Sequence, residues 1–219
     1  MIENLVTLID SMGNDLTVVN SARVSLNKES FFNDNGELKD EDIKLIKYLA
    51  KHNHWTPFSQ VTFQFRIKMP IFIARQYFRS NVGLTRNEVS RRYVSDPPEF
   101  WEPTSWRSRP ENVKQGSGED LPEVTQVYFF EVYRAAMDAL ETSYNAFIQK
   151  GCCPEQARAL LPQSMMTEFI ETGSLAAYAR VYTLRKDSHA QVEIQEYADL
   201  IGNVIKNKTP HSWRALTEG

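Results

Sequence analysis

The chain has 219 residues, room for one large domain or two small ones and enough to bury a core without covalent staples. Hydrophobic residues make up 42% and charged residues 24%, ordinary globular values that exclude a disordered or collagen-like chain. A net charge of −3 with no basic tail argues against a nucleic-acid partner and leaves small ligands as the expected ones.

The N-terminal segment MIENLVTLIDSMGND has no basic stretch ahead of a long apolar one, so no signal peptide is expected. Residues 4–10 alternate weakly and predict a strand ended by Met12-Gly13-Asn14, after which Asp15 can cap a short helix to about Leu26. Turn residues fill 31–37. Asp40 then opens an amphipathic helix with Ile43, Ile46, Leu49 and Ala50 on one face, ending near His52-Asn53-His54. VTFQFRIKM (61–69) alternates apolar and polar throughout and is the clearest strand in the chain. Pro70 suits the first turn of a helix, PIFIARQYFR, and 81–92 predicts a loop turning back into a short strand around Arg92-Tyr93-Val94.

Residues 95–118 hold four prolines and two tryptophans, which predicts a long loop or an insertion within one domain. A long helix from Pro122 to Lys150 follows, closed by Gly151. Its apolar residues, among them Val124, Val127, Tyr128, Val132, Ala135, Ala139, Tyr144 and Phe147, keep the helical period. Pro154 starts a short helix to Leu161, Thr167–Thr172 suggests a strand, Gly173-Ser174 a turn and Leu175–Thr183 a helix. A last amphipathic helix runs from about His189 to Lys206. No run approaches about 18 apolar residues, so no membrane span is expected. The order of elements predicts a single α+β domain: a mixed sheet with helices packed on one face and a long central helix.

The common phosphate cradles are missing, with no G-x-G-x-x-G and no Walker loop, and no G-x-S-x-G nucleophile elbow occurs. His52-x-His54 lacks a carboxylate or cysteine at supporting spacing, so no metal site is expected. The only cysteines, Cys152 and Cys153, are neighbours whose Cα atoms lie about 3.8 Å apart, closer than a disulfide prefers. A disulfide framework is therefore excluded, and a reducing compartment such as the cytoplasm is the default. Charge is concentrated in one window: between Arg75 and Arg92 there are five arginines (75, 79, 86, 91, 92) against Glu88 alone. Arginine grips phosphate and carboxylate with two parallel hydrogen bonds, so this window is either a solvated basic face or a site for a small anion. Glu88, Ser90 and Arg92 alternate and would share one face of a strand. With Gln76, Arg79 and Asn87 they form one candidate cluster; Arg23-Val24-Ser25 is a second, and Arg158 with the run 184–191 is a third.

On these segments the chain resembles the flavin-dependent thymidylate synthases, also called thymidylate-synthase-complementing proteins. The matching stretches are VTLIDSMGNDL (6–16), ARVSL (22–26), HNHWTPF (52–58), PIFIARQYFR (70–79), NEVSRRY (87–93), ARALLP (157–162) and LRKDSHAQVEIQEYA (184–198), in the family's order and spacing. Only the 95–120 loop, read as an insertion in a single 1–219 domain, and the final dozen residues fall outside. The resemblance implies transfer of a one-carbon unit from methylenetetrahydrofolate to carbon five of deoxyuridine monophosphate (dUMP), giving thymidylate. It also implies an FAD prosthetic group, NADPH as reductant and a homotetramer with active sites shared between subunits. Gln76, Arg79, Glu88, Ser90, Arg92 and Arg158 match positions that hold the nucleotide, and Arg185 matches the catalytic arginine that meets the uracil ring. Ser25, His54, Thr56, Arg79, Asn87, Glu88 and His189 match positions at or near the flavin.

Two stretches depart from that pattern. The family signature is Arg-His-Arg, seven residues, then Ser; this chain has Arg79-Ser80-Asn81, eight residues, then Ser90. A second flavin motif, Asn-x-Arg with a further Asn, falls on Ser174-Leu175-Ala176 and Arg180, so that Arg86 and Arg180 are the cations available to compensate. Two other activities share the same nucleotide grip: hydroxymethyl transfer to deoxyuridylate or deoxycytidylate, and nucleotide binding without catalysis.

Overall fold

The computed structural model describes residues 5–111 and 116–218; Asn4 of the expected first strand and 112–115 of the expected loop lie outside them. The N-terminal alternation forms β1 (Val6–Met12), and α1 (Asp15–Arg23) follows. Its cap is Asn14 rather than Asp15. The Asn14 side chain accepts from Leu16 N at 3.0 Å and Thr17 N at 3.2 Å, while Thr17 Oγ1 accepts from Asn14 N, closing a capping box. Asp15 is buried and caps a different helix, accepting from His211 N at 2.9 Å and Ser212 N at 2.8 Å.

After a 3-10 turn at Val24–Leu26 come α2 (Asp40–Lys51), β2 (Thr62–Pro70) and α3 (Ile71–Tyr77), with Pro70 as the cap of α3. The alternation of β2 buries Phe63, Phe65, Ile67 and Met69. β3 (Leu84–Glu88) starts after Gly83, whose φ of +79° favours glycine. The long helix α4 spans Glu123–Gln149, then α5 (Pro154–Ala157), β4 (Met166–Ser174), α6 (Leu175–Arg185), α7 (Val192–Lys208) and α8 (Pro210–Thr217). The α8 helix was not predicted; it depends on the distant carboxylate of Asp15 for its N-terminal hydrogen bonds. No described helix is long and apolar enough to cross a membrane.

The strands form one four-stranded sheet in the order β1-β2-β4-β3. The α+β class holds, but the sheet is antiparallel rather than mixed. β1 pairs antiparallel with β2 from Val6↔Ile67 to Met12↔Thr62. The start of β2 meets the end of β4 through Leu175 N→Val61 O at 2.8 Å. β3 runs against β4 from Ser174 N→Gly83 O at 3.4 Å to Val89 N→Glu168 O at 2.9 Å. The expected turn at Gly173-Ser174 is the end of β4. Gly173 is there because a Cβ would collide with a Leu84 methyl and lie 3.0 Å from the Tyr178 ring.

By density of contacts the chain divides into two units. The first comprises Met1–Ile67, Ser80–Asn87 and Ile170–Gly219; the second comprises Lys68–Arg79 and Glu88–Phe169. In the first, Phe63 and Phe65 pack edge-on against Tyr178, and Val18, Ile46, Leu175, Ile194, Ile201 and Ile205 are buried. In the second, Tyr77 and Phe78 pack on Phe169. Trp101 and Trp106 lie along α4 there, joined by the Tyr133 hydroxyl to Trp101 O and by Gln126 to the backbone of Trp106.

Candidate functional site

Six of the candidate residues belong to the second unit. Gln76 is half-buried on α3, and Arg79 is exposed just past the end of that helix. Glu88 closes β3, and its carboxylate accepts from Thr167 Oγ1 of β4 at 2.6 Å. The chain then leaves the sheet. Tyr93 N and Val94 N both donate to Ser90 O, at 3.0 and 3.2 Å, closing a turn where a strand was expected around Arg92-Tyr93-Val94. Glu88, Ser90 and Arg92 therefore do not share a strand face: the extended segment lies earlier, between Gly83 and Val89, and the turn brings Ser90 and Arg92 together directly. Ser90 Oγ accepts from Arg92 N and Nε, each at 3.4 Å, and the guanidinium lies 4.9 Å from the Tyr93 ring centroid. Arg158 opens a 3-10 turn after α5, exposed, with Nε donating to Glu155 O at 3.1 Å.

The other six belong to the first unit. Ser25 is exposed in the 3-10 turn after α1, and Asn87 is exposed in β3. Beyond α2, Asn53 takes a left-handed φ of 55° and turns the chain so that His54 N donates to Leu49 O at 2.9 Å. The His52 and His54 rings lie 4.4 and 6.1 Å from the Tyr48 ring, an exposed aromatic cluster. Thr56 borders a cavity of about 700 Å³ lined also by Asn14, Thr17, Asn20 and Ser21. Arg185 is half-buried in the last turn of α6. His189 sits in the following turn, its backbone N–H donating to Asp187 Oδ1 at 2.8 Å and its Nδ1 lying 2.9 Å from the same oxygen. The backbone hydrogen bond first, then the ring, holds the Asp187 carboxyl below the usual carboxylate range. With Nδ1 engaged, Nε2 is the free edge of the imidazole.

The altered signature lies in the loop 80–83. Its backbone is held by Arg86 of β3, whose Nη2 donates to Ser80 O at 2.6 Å, and by Arg180 of α6, whose Nη2 donates to Val82 O at 2.6 Å. Arg86 Nε also forms an ion pair with Glu171, a carboxylate with no exposed surface. Glu171 escaped the sequence reading although a signal existed: Thr167, Phe169, Glu171 and Gly173 are all buried, so Glu171 occupies the inward phase of β4, where an acid needs a cation. The Tyr178 phenol, buried beside Glu171, has its pKa pushed up by desolvation and then by that charge.

A family model described as thymidylate synthase complementing protein matches residues 7–211. Two proteins named flavin-dependent thymidylate synthase are similar over nearly the whole chain. The one from Thermosipho africanus is 36% identical over 216 residues, covering 95% of this chain and 89% of its own. The one from Thermotoga neapolitana is 37% identical over 217 residues, covering 98% and 91%. Among solved structures, a UMP/dUMP methylase, PolB from Streptomyces cacaoi bound with 5-Br UMP, superposes with a TM-score of 0.85 at 25% identity, covering 97% of this chain and 93% of that one. The same enzyme bound with 5-Br dUMP gives 0.82 at 28% identity. A family-model match over residues 7–211, with relatives 36% and 37% identical over nearly the whole chain, establishes that the chain belongs to the thymidylate synthase complementing protein family.

Proposed function

We propose that this chain is an FAD-dependent thymidylate synthase. It would transfer the one-carbon unit of methylenetetrahydrofolate to carbon five of dUMP, with NADPH reducing the flavin, in the cytoplasm. The observation that carries this reading is the near-complete match to enzymes named flavin-dependent thymidylate synthase, together with the likeness to a UMP/dUMP methylase.

In this reading Gln76, Arg79, Glu88, Ser90, Arg92 and Arg158 bind the nucleotide. The Ser90–Arg92 pair supplies a hydroxyl and a fork donor from one turn, and exposed Arg79 and Arg158 add charge suited to a phosphate. Arg185 faces the uracil ring, where reaction at carbon five drives negative charge onto the ring oxygens and nitrogen. A guanidinium stabilises that charge without titrating. Ser25, His54, Thr56, Arg79, Asn87, Glu88 and His189 lie at the flavin, with His189 oriented by Asp187. The residue types fit an anionic, aromatic cofactor: the set includes an exposed guanidinium at Arg79, the hydroxyls of Ser25 and Thr56, and two exposed imidazoles, of which His189 is fixed by its own hydrogen bond. When bound, the flavin supplies the reducing equivalents that turn the transferred carbon into a methyl group.

We further propose that the chain functions as one domain and assembles as a homotetramer with shared sites. One side of α4 supports this: Val124, Tyr128 and Val132 are 84%, 61% and 51% exposed. The test of the site is Arg185. Arg185→Ala should keep its fold and lose about 10²–10³ in turnover, as when one donor to a developing charge is removed. Arg185→Lys should recover little, because a single ammonium does not reproduce the fork. Full turnover in either variant contradicts the assignment.

A second reading, hydroxymethyl transfer to the same class of nucleotide, draws on the altered 80–83 loop. Water reaching the transferred carbon before hydride would give that product, and a misplacement of about 1 Å can cost on the order of a hundredfold in the productive step.

A further inference from the structure

Four consecutive carbonyls, Ser80 to Gly83, are each bound by a donor. Arg86 Nη2 holds Ser80 O at 2.6 Å, Leu84 N holds Asn81 O at 3.2 Å, Arg180 Nη2 holds Val82 O at 2.6 Å, and Ser174 N holds Gly83 O at 3.4 Å. No peptide among the described residues is cis. In a trans peptide the carbonyl and the following N–H point in opposite directions. With Ser80 O and Val82 O turned onto guanidinium groups, the N–H groups of Asn81 and Gly83 point away from them, and both residues are exposed.

The clamps are themselves anchored. Arg86 is tied to the fully buried Glu171. Arg180 projects from α6, whose Ser174 caps the helix by accepting from Ala177 N. Gly83 fits this arrangement tightly, since a Cβ there would lie 3.1 Å from Ala177 Cβ and 3.7 Å from Arg180 Nη2. Backbone N–H groups free to face solvent favour anions, and cations on the carbonyl side of the same peptides polarise them further in that sense.

We propose that Arg86 and Arg180 are positioning residues that fix the 80–83 loop with its N–H groups outward, so that backbone dipoles meet the phosphates of the flavin. The two cations act on the loop, and the loop acts on the cofactor. This rests on the flavin reading above. It accounts for Ser80 and Asn81 at positions where the resemblance leads one to expect charged side chains, because a backbone cradle does not require them.

The test uses Arg180, which is exposed and whose replacement leaves no buried charge unpaired. Fluorescence titration with FAD is read beside hydrogen exchange of the 81–84 amides in flavin-free protein, with dUMP binding by calorimetry as control. Arg180→Gln is expected to speed loop exchange by about tenfold and to weaken FAD by about tenfold, the worth of one charge-assisted hydrogen bond, while dUMP affinity stays within about twofold. Arg180→Lys should restore part of both effects. Unchanged loop exchange overturns the proposal, and so does weakened FAD with unchanged exchange, which makes Arg180 a direct contact. Wild-type protein that takes up no FAD removes the flavin reading itself and this inference with it, and that result is read before any variant is made.

Discussion

Glu171 has no exposed surface and Arg86 is 12% exposed, so their ion pair is an interior one. Removing one partner of such a pair leaves an uncompensated buried charge, whereas removing both together leaves none. Arg86→Leu is therefore expected to lose about 3–5 kcal/mol in urea unfolding. The double variant Arg86→Leu/Glu171→Leu should recover most of it; equal losses in both would contradict a coupled pair. Asp187 carries a pH expectation. Its carboxyl is depressed below the ordinary 3.8 by the His189 hydrogen bonds, so the turn is fully held above that value and is lost only as pH falls through the depressed one. The protection factor of the His189 amide, which corrects for the intrinsic pH dependence of exchange, should stay flat from neutrality to about pH 5 and fall only in stronger acid; loosening already in milder acid would mean that a group other than the Asp187 carboxyl controls the turn. At this scale the candidate residues are legible because arginine, serine and histidine stand in recognisable stretches. The roles of Arg86 and Arg180 are not, since what they bind are backbone carbonyls brought near only by folding.

The α4 helix carries two faces. Gln126, Phe130, Tyr133 and Met137 touch Trp106, Trp101 and Ser164 within their own unit. Val124, Tyr128, Val132, Ala135 and Ala139, spaced by three or four residues, form an exposed stripe on another side. Fully burying a valine side chain contributes about 1.5–3 kcal/mol, so one charge in the middle of the stripe is enough to oppose a proposed subunit contact. Val132→Glu should shift the light-scattering mass to a smaller species without loss of helix content, while an unchanged mass excludes this stripe from the interface. Long periodic elements such as α2, α4 and β2 are legible in the sequence because one repeating face determines each. The β3 strand was expected too late because its start depends on the positive φ of Gly83 and its end on pairing with β4, which no local pattern encodes. For the same reason α8 was absent from the sequence reading: Asp15, nearly two hundred residues away, supplies its cap.

For the whole molecule, neither compact unit is one continuous stretch of chain, and the candidate residues are drawn from both. The α+β class follows from the order of elements, and the resemblance to the family is legible in seven segments in order, a pattern that survives local changes at single residues. In the proposed reaction the altered loop would bear on the fate of the transferred carbon, because methyl and hydroxymethyl products differ only in whether hydride or water reaches it first. Mass spectrometry of the nucleotide formed from dUMP, methylenetetrahydrofolate, NADPH and FAD tests the account most directly. The account predicts thymidylate, one CH₂ heavier than dUMP and formed only with flavin present. A product carrying one further oxygen, or turnover indifferent to flavin, would contradict it.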